Sequence, residues 1–280
     1  SPDINIYHEP SKKLSIKELA KKSLDTHAPW YPLYQGTLVG QSPPIQNVFI
    51  QIDTIRKGRI DTPILIVGGT GVGKTELAKT LATKCVQVNA STLSEITGKD
   101  RLQNLKNNIL EAEGGVLIID NFENADVALQ NALLNLLDGN FRDENGVNVS
   151  IKCRIAITTT TQQGLQLQFR RRFKGNIITL PSLITVPFPD DLNGTRNMDV
   201  ILLAEYFNKK YSQEYNIPWA PIDKFAGETL IKMNNWKYDV SSVEQMMLQV
   251  IQCRKEILDG RSSKPVGICN IEWSKNFITL

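Results

Sequence analysis

The sequence predicts an α/β fold in three layers, in which a parallel sheet is covered by helices on both faces and is followed by a small helical domain. Three observations predict this fold. Short apolar runs alternate with segments of helical periodicity between residues 46 and 180. A glycine-rich loop joins the first of these runs to a helix. From about Asp199 the pattern is helical throughout.

The composition is that of an ordinary globular protein. The 280 residues are 41% hydrophobic and 22% charged, which suits one large or two moderate domains. The formal net charge of +3 is too small to indicate nucleic-acid binding by itself. No apolar run reaches the roughly 18 residues of a membrane helix, and no signal-peptide stretch stands at the N-terminus. We therefore expect a cytoplasmic protein without a membrane partner.

The cysteines and histidines indicate neither a disulfide framework nor a metal site. The four cysteines are scattered without a C-x-x-C pair, and the two histidines lack metal-ligand spacing. These residues are Cys85, Cys153, Cys253, Cys269, His8 and His27.

Residues 1–35 form a polar, basic segment. Lysines surround the apolar residues between Lys12 and Lys22, and Ser15 with Glu18 forms the capping box of a short helix. The basic face of that helix is either a solvated surface or a contact for nucleic acid. Prolines then mark a linker and turns, at Pro29, Pro32, Pro43 and Pro44.

The most specific feature is the segment GGTGVGKT, which matches the phosphate-binding pattern G-x-x-x-x-G-K-[ST] in full. An apolar run precedes it as a buried strand, and a helical pattern follows it. Its glycines let successive backbone N–H groups turn inward around phosphates. We expect Lys74 to reach the β- and γ-phosphates of ATP and the Thr75 hydroxyl to hold Mg²⁺. The candidate nucleotide-binding residues of the loop are Gly68, Gly69, Thr70, Gly71, Val72, Gly73, Lys74 and Thr75.

The remaining elements follow from periodicity and turn residues. The predicted strands are 63–67, 85–89, 116–120, 151–158 and 176–180. The predicted helices are 46–55, 76–82, 101–113, 127–137, 200–207 and 243–251. A hairpin is indicated by Gly139, Asp143, Asn145 and Gly146. We place the α/β domain at 36–198, the helical lid at 199–260 and a tail at 261–280.

Asp120 ends one of the apolar strands, at the edge of the sheet where the phosphates are expected. A carboxylate there can orient the water ligands of Mg²⁺, so that Thr75 and Asp120 are the candidate metal residues. A glutamate commonly follows such an aspartate and polarises the attacking water, but position 121 is Asn. An amide binds water without accepting its proton, and Glu123, two residues on, can point elsewhere. Hydrolysis of ATP and ATP binding with slow or absent hydrolysis therefore both stay open.

Four cations cluster in the segment FRRRFK at residues 169–174. One hypothesis is that an arginine of this cluster acts as an arginine finger on the γ-phosphate of a neighbouring subunit. A solvated charged turn and a contact for nucleic acid are the alternatives.

Taken together, these residues resemble an AAA+ ATPase, and more narrowly the central domain of bacterial enhancer-binding transcription activators, which remodel RNA polymerase carrying an alternative sigma factor. The resemblance runs from about Leu38 to Met247. LVGQSP at 38–43 resembles the family motif near the adenine, which implies that Val39 and Gly40 lie at the base. GGVLIID at 114–120 resembles the second nucleotide motif. The segments 133–139, 180–183 and 199–207 continue the likeness.

The resemblance also assigns further site residues. Counted back from Leu180, Arg172 occupies a family arginine-finger position, and Thr160 falls at the polar sensor that follows a strand. The candidate catalytic residues are then Lys74, Asp120, Asn121, Thr160 and Arg172.

The sequence departs from the family in the parts that face a partner. The GAFTGA loop, which grips the sigma factor, should lie between residues 89 and 114, but the segment there is shorter and lacks the motif. The lid motif W-P-G-N-V-R-E appears as WKYDVSS, so that Ser241 replaces its nucleotide-sensing arginine. Residues 184–198 lack the family's charged motif. The resemblance therefore implies the fold and the ATP site, but not sigma-factor remodelling.

Four functions are compatible with these observations. The first is an ATPase that self-associates into a ring, a hexamer, and remodels a protein or nucleic-acid partner. The second is a nucleotide-gated switch or scaffold with weak or absent hydrolysis. The third is a nucleic-acid-binding transcription regulator that uses the lysines at 12–22 or the cations at 170–174. A metabolic kinase is the fourth, although no acceptor pocket is evident.

Overall fold

The computed structural model describes residues 33–34, 38–183, 196, 199–222, 224–232, 236 and 239–260. The helix expected near Ser15, the prolines at 29 and 32 and the tail at 261–280 lie outside the described residues. The same holds for most of the segment 184–198, which joins the sheet to the helical region.

A parallel five-stranded sheet forms the centre of the fold, in the order β4-β5-β6-β3-β7. A separate antiparallel pair, β1 and β2, precedes it. The residues of β5 and β6 are buried throughout, as expected of strands covered on both faces. The strands are β1 (Leu33–Tyr34), β2 (Leu38–Val39), β3 (Ile64–Val67), β4 (Cys85–Asn89), β5 (Val116–Asp120), β6 (Arg154–Thr159) and β7 (Ile177–Thr179). All five sheet strands run the same way, so their carboxyl ends share one edge.

Helices cover the two faces of the sheet, so that the predicted three-layer fold is confirmed. Leu117 and Ile119 of β5 pack with Leu129 and Leu133 on one face. Ile118, which points the other way, packs with α1 and α2 residues on the opposite face. The helices of this part are α1 (Pro43–Lys57), α2 (Lys74–Lys79), α3 (Ala90–Glu95), α4 (Gly98–Glu111), a 3₁₀ helix (Phe122–Asn124), α5 (Val127–Leu137) and α6 (Leu167–Arg172).

Three helices make up most of the described region from Asp199 onward, where a change to helices was predicted. Its helices are α7 (Asp199–Glu214), α8 (Lys224–Lys232) and α9 (Val240–Leu258). They share a third hydrophobic cluster, in which Phe207 and Met246 pack with Val39 and Leu183 from the sheet side. This cluster ties the helical region to the first domain, and the division at 199 stays a prediction.

Two elements differ from the sequence prediction because tertiary packing decides them. The single helix expected at 101–113 is preceded by α3, and only Ile96 and Thr97 separate α3 from α4. The strand expected from 151 begins at Arg154, because pairing with β5 starts there, opposite Val116. The predicted hairpin is confirmed, since Arg142 pairs with Asn148 across its turn.

Most of the basic segment lies in a helix, α6, which ends at Arg172, and Phe173 and Lys174 follow in a turn. Phe169 and Phe173 lie four residues apart, the spacing of one helix face, and both are fully buried. Phe169 stacks on Phe122, with the ring centroids 4.9 Å apart. Two buried aromatic side chains thus stabilise a helix in a segment rich in cations. The helical spacing of these two residues was not recognised in the sequence because charged residues lie between them. No helix in the described part of the chain is long and apolar enough to cross a membrane.

Candidate nucleotide-binding site

The glycine-rich loop joins the carboxyl end of β3 to α2, at the edge of the sheet. Gly71 and Gly73 have φ values of 79° and 101°, which glycine adopts without strain. A Cβ at Gly68 would stand 2.9 Å from a methyl carbon of Val72 and 3.1 Å from Cβ of Leu180. The loop therefore needs glycine both for its backbone angles and for its close approach to β7.

Lys74 is buried and folds back over the loop. Its Nζ donates hydrogen bonds to the carbonyl oxygens of Gly68, at 3.0 Å, and Gly69, at 2.9 Å. Burial lowers the pKa of Lys74, and the negative charges of Glu123 and Asp120 oppose that shift. The ammonium group is thus held inside the loop, opposite the acidic side of the site.

Thr75 and Asp120, the two residues predicted to hold a metal, are in direct contact. Thr75 Oγ1 donates to Asp120 Oδ2 at 2.8 Å, and Gln87 Nε2 donates to the same oxygen at 3.2 Å. Thr158 Oγ1 donates to Asp120 Oδ1. These donors come from α2, β4 and β6, so that three elements fix one carboxylate. Sequence reasoning missed Gln87 and Thr158, because only strand pairing places them beside Asp120.

The oxygens of Thr75 and Asp120 fit Mg²⁺, which takes few protein ligands together with water and phosphate oxygens. Among the residues that the structure describes, no group of three or more His, Cys, Asp or Glu is arranged to hold a metal. Water and phosphate oxygens would complete the ligand set of a divalent ion held by Thr75 and Asp120.

The chain turns back sharply after Asp120. Asn121 has a left-handed backbone, with φ of 54° and ψ of 49°, a conformation that asparagine tolerates. Its N–H donates to Thr158 Oγ1 at 3.2 Å. The 3₁₀ helix follows, and Glu123 Oε2 accepts a hydrogen bond of 3.1 Å from the backbone N–H of Thr160. Glu123, Asn121 and Thr160 all face the same cavity.

That cavity, of about 590 Å³, has the size of a small-molecule site. One end is polar and contains the loop with Asp120, and the other is apolar. The apolar end is lined by Leu38, Val39, Ile45, Phe49, Leu180, Leu203 and Phe207. A nucleotide fits this division, with its base at the apolar end and its phosphates at the loop.

Most of the predicted site residues line the cavity. They are Val39, Thr70, Gly71, Val72, Gly73, Lys74, Thr75, Asp120, Asn121 and Thr160. Gly68 and Gly69 lie behind it and hold Lys74 through their carbonyls. Gly40 is close-packed, since a Cβ there would stand 2.5 Å from a methyl carbon of Ile45.

Arg172 lies apart from this cavity. Its side chain is about half exposed, and Nε pairs with Asp138 Oδ1 at 2.7 Å. Its surface position on α6 leaves it accessible to another molecule.

The helical region closes over the loop through Ser241. Its backbone N–H and its hydroxyl donate to the carbonyl oxygen of Gly71, at 3.2 and 3.4 Å. Ser241 thus contacts the phosphate loop directly, although it replaces an arginine of the family motif. The cations Lys210 and Arg196 also line this side of the cavity.

Two buried aspartates fix the helical region to the sheet domain. Asp199 accepts from the backbone N–H groups of Gln41, at 2.7 Å, and Ser42, at 2.9 Å, and pairs with Arg196 at 3.0 Å. Asp239 accepts from the N–H of Leu183 at 2.9 Å. Sequence reasoning singled out neither carboxylate, because their partners are distant along the chain.

The helices α3 and α4, between β4 and β5, are joined by a tight connection. Buried Arg101 donates to the carbonyl oxygens of Ser94, at 2.9 Å, and Ile96, at 2.7 Å. The same guanidinium pairs with Asp126 at 2.7 Å. Arg101 thereby closes the end of α3 and ties it to the start of α5.

Comparison with known proteins places this site in a family. Residues 39–183 match the model of the Sigma-54 interaction domain, which covers just over half of the chain. Over 234 residues the chain is 26% identical to the transcriptional regulatory protein FlbD of Caulobacter vibrioides, covering 76% of this chain and 50% of FlbD. It is 21% identical to the Nif-specific regulatory protein of Azotobacter vinelandii, covering 76% of this chain and 44% of that protein. The chain thus spans about half the length of these relatives.

A solved structure shows the same fold. NtrX from Brucella abortus, crystallised in complex with ATP, superposes with a TM-score of 0.64 at 20% identity, covering 84% of this chain and 53% of NtrX. The chain belongs to the Sigma-54 interaction domain family, the AAA+ domain of enhancer-binding transcription activators.

Proposed function

We propose that the chain binds ATP with Mg²⁺ in the cavity above the sheet edge and hydrolyses it. The observation that carries this proposal is the meeting of Lys74, Thr75 and Asp120 at the polar end of one cavity. Lys74 neutralises the β- and γ-phosphates, and Thr75 with Asp120 holds Mg²⁺ and its water ligands. Bound Mg²⁺ would supply charge stabilisation to the phosphates. The ATP complex of NtrX supports this proposal.

The adenine base lies at the apolar end, between Val39 of β2 and the side chains of α7. Val39 also belongs to the hydrophobic cluster of the helical region, so that a bound base contacts both sides of the cavity. Nucleotide binding would then stabilise the closed arrangement in which Ser241 touches Gly71.

Arg172 acts in trans, and subunits assemble into a ring, a hexamer, in which Arg172 reaches the γ-phosphate of the neighbouring subunit. Its half-exposed position outside its own cavity supports this role. The ring remodels a protein or nucleic-acid partner. The relatives named as transcriptional regulators favour transcription as the process.

A second candidate function is a nucleotide-gated switch or scaffold. Asn121 beside the metal site, and Ser241 in place of the sensing arginine, favour this alternative. ATP binding alone would then shift the closure of the helical region or the assembly of subunits.

Steady-state ATP turnover and ATP affinity, measured over a series of protein concentrations, test the proposal. We expect turnover per subunit to rise with concentration, and to be lost in Lys74→Ala and in Arg172→Ala. Arg171→Ala, an exposed arginine on the same helix, is the matched control and should retain turnover. Tight ATP binding without turnover at any concentration would contradict the ATPase proposal and favour the switch.

A further inference from the structure

Glu123 occupies a place in the cavity that its position in the sequence does not reveal. It stands three residues after Asp120, yet its side chain lines the same wall as Asp120, Asn121 and Thr160. Its Oε2 accepts the backbone N–H of Thr160, at 3.1 Å. Glu123 is therefore a carboxylate fixed beside the phosphate loop, in a cavity where position 121 supplies only an amide.

The local backbone explains how Glu123 reaches this wall. The left-handed conformation of Asn121 reverses the chain directly after β5. The 3₁₀ helix that follows is anchored by Phe122, which is fully buried and stacked on Phe169. With Phe122 directed into the core, the next side chain is turned toward the cavity. The turn therefore presents Glu123 to the cavity, beside Asn121.

The two carboxylates Asp120 and Glu123 differ in their hydrogen bonding. The carboxylate of Asp120 is already engaged by Thr75, Gln87 and Thr158. In the described part of the chain, Glu123 Oε2 accepts one hydrogen bond, from a backbone N–H, and a carboxylate has room for further donors, such as a water molecule.

We propose that Glu123 is the catalytic base of ATP hydrolysis in this chain, and that it replaces the glutamate expected at position 121. This inference rests on the proposed ATPase function. The water oxygen forms a bond to the γ-phosphorus, and the bond from that phosphorus to the β–γ bridging oxygen breaks. ADP leaves with the electron pair. Glu123 takes up one proton of the water and then releases it to solvent, which regenerates the carboxylate.

Glu123→Gln separates this role from a structural one. The side-chain oxygen of glutamine can still accept the N–H of Thr160, but the amide cannot accept a proton from water. We expect turnover to fall at least roughly 100-fold, as for loss of a general base. ATP affinity and the melting temperature should stay unchanged, so that the loss appears in kcat and not in KM. After incubation with ATP, the bound nucleotide should remain ATP rather than ADP.

Two further variants complete the test. Glu111→Gln removes an exposed glutamate at the end of α4 and should turn over as the wild type does. Glu123→Ala removes both the base and the bond to Thr160, and should lose turnover and also melt at a lower temperature.

The outcomes distinguish this inference from the function on which it rests. If Glu123→Gln hydrolysed ATP at the wild-type rate and only Glu123→Ala lost turnover, Glu123 would not be the catalytic base. Its role would then be structural. A wild type that binds ATP without turnover would overturn the inference and leave the switch. A wild type that does not bind ATP would overturn both.

Discussion

At the scale of single residues, three side chains donate hydrogen bonds to the carboxylate of Asp120. This network underlies the proposed binding of Mg²⁺. These donors fix the direction of the carboxylate. Thr75, one of the donors, is also the proposed partner in binding Mg²⁺. The network would therefore orient the proposed ligands of Mg²⁺.

Asp120→Asn tests this role of the network. An amide offers one acceptor oxygen and no charge, so it cannot satisfy Thr75 and Thr158 together or attract a cation. We expect the gain in ATP affinity that Mg²⁺ provides to shrink by roughly tenfold, which corresponds to about 1.4 kcal/mol. Titration of the protein with a fluorescent ATP analogue, in the presence of Mg²⁺ and in the presence of a chelator, measures this gain in affinity. Asp100→Asn, at an exposed position of α4, is the control, and an equal Mg²⁺ effect in both variants would refute the metal role.

At this scale the sequence revealed the residues that belong to a contiguous motif. Lys74, Thr75 and Asp120 were predicted because strand, loop and helix patterns fix their surroundings. Glu123 was noticed, but its direction depends on a left-handed residue and on Phe122, which the pattern does not determine. Thr158 was missed in favour of Thr160, because the register of β6 against β5 decides which threonine meets Asp120.

At the scale of elements, α7 carries much of the link between the helical region and the sheet domain. Asp199 begins α7 and holds the segment before α1 through Gln41 and Ser42. Glu205, two turns further, is 1% exposed and accepts from Asn208 Nδ2 at 3.3 Å. Burial raises the pKa of Glu205, and Asn208 and the N–H of Ile222 oppose the shift to a smaller extent.

The raised pKa of Glu205 gives a prediction for stability against pH. A carboxyl group whose pKa is higher in the folded than in the unfolded chain favours folding in its protonated form. That contribution is fully present below the unfolded pKa and is lost as pH rises through the folded one. Glu205→Gln should therefore raise the melting temperature at pH 8 by about 2–4 °C, or about 1 kcal/mol.

The advantage of Glu205→Gln should disappear below about pH 4, where glutamate itself is neutral in both states. Thermal unfolding of both proteins from pH 3 to pH 8 gives the comparison. Glu214→Gln, at the exposed end of α7, is the matched control. If Glu205→Gln were no more stable than the wild type at pH 8, the buried charge of Glu205 would not destabilise the folded protein, contrary to the prediction.

Sequence periodicity located α5 at its observed bounds and β4 and β5 to the residue, because each carries an uninterrupted pattern. It failed for α6, where the cations at 170–172 hide two buried phenylalanines. It also missed α3, since the predicted helix began only at residue 101. The end of α3 depends on Arg101, which donates to the carbonyl oxygens of Ser94 and Ile96, partners that only the fold reveals.

At the scale of the whole molecule, the proposed arginine finger lies apart from the cavity in which ATP would bind. Lys74 belongs to the cavity, whereas Arg172 stands on the surface of α6. A ring resolves this separation, since each subunit then receives Arg172 from its neighbour. In the proposed ring, one active site is therefore built from two subunits.

Mixing two inactive variants tests this claim most directly. Each variant alone is expected to lack turnover. Lys74→Ala lacks the lysine of the phosphate loop, and Arg172→Ala lacks the arginine that acts on the neighbouring subunit. In an equal mixture that assembles at random, about a quarter of the sites combine an intact Lys74 with an intact Arg172 of the neighbour. We predict that turnover reappears on mixing, to about that fraction of the wild-type rate. Mixtures that remain inactive, although both variants bind to each other and Arg172→Ala still binds ATP, would contradict the shared site.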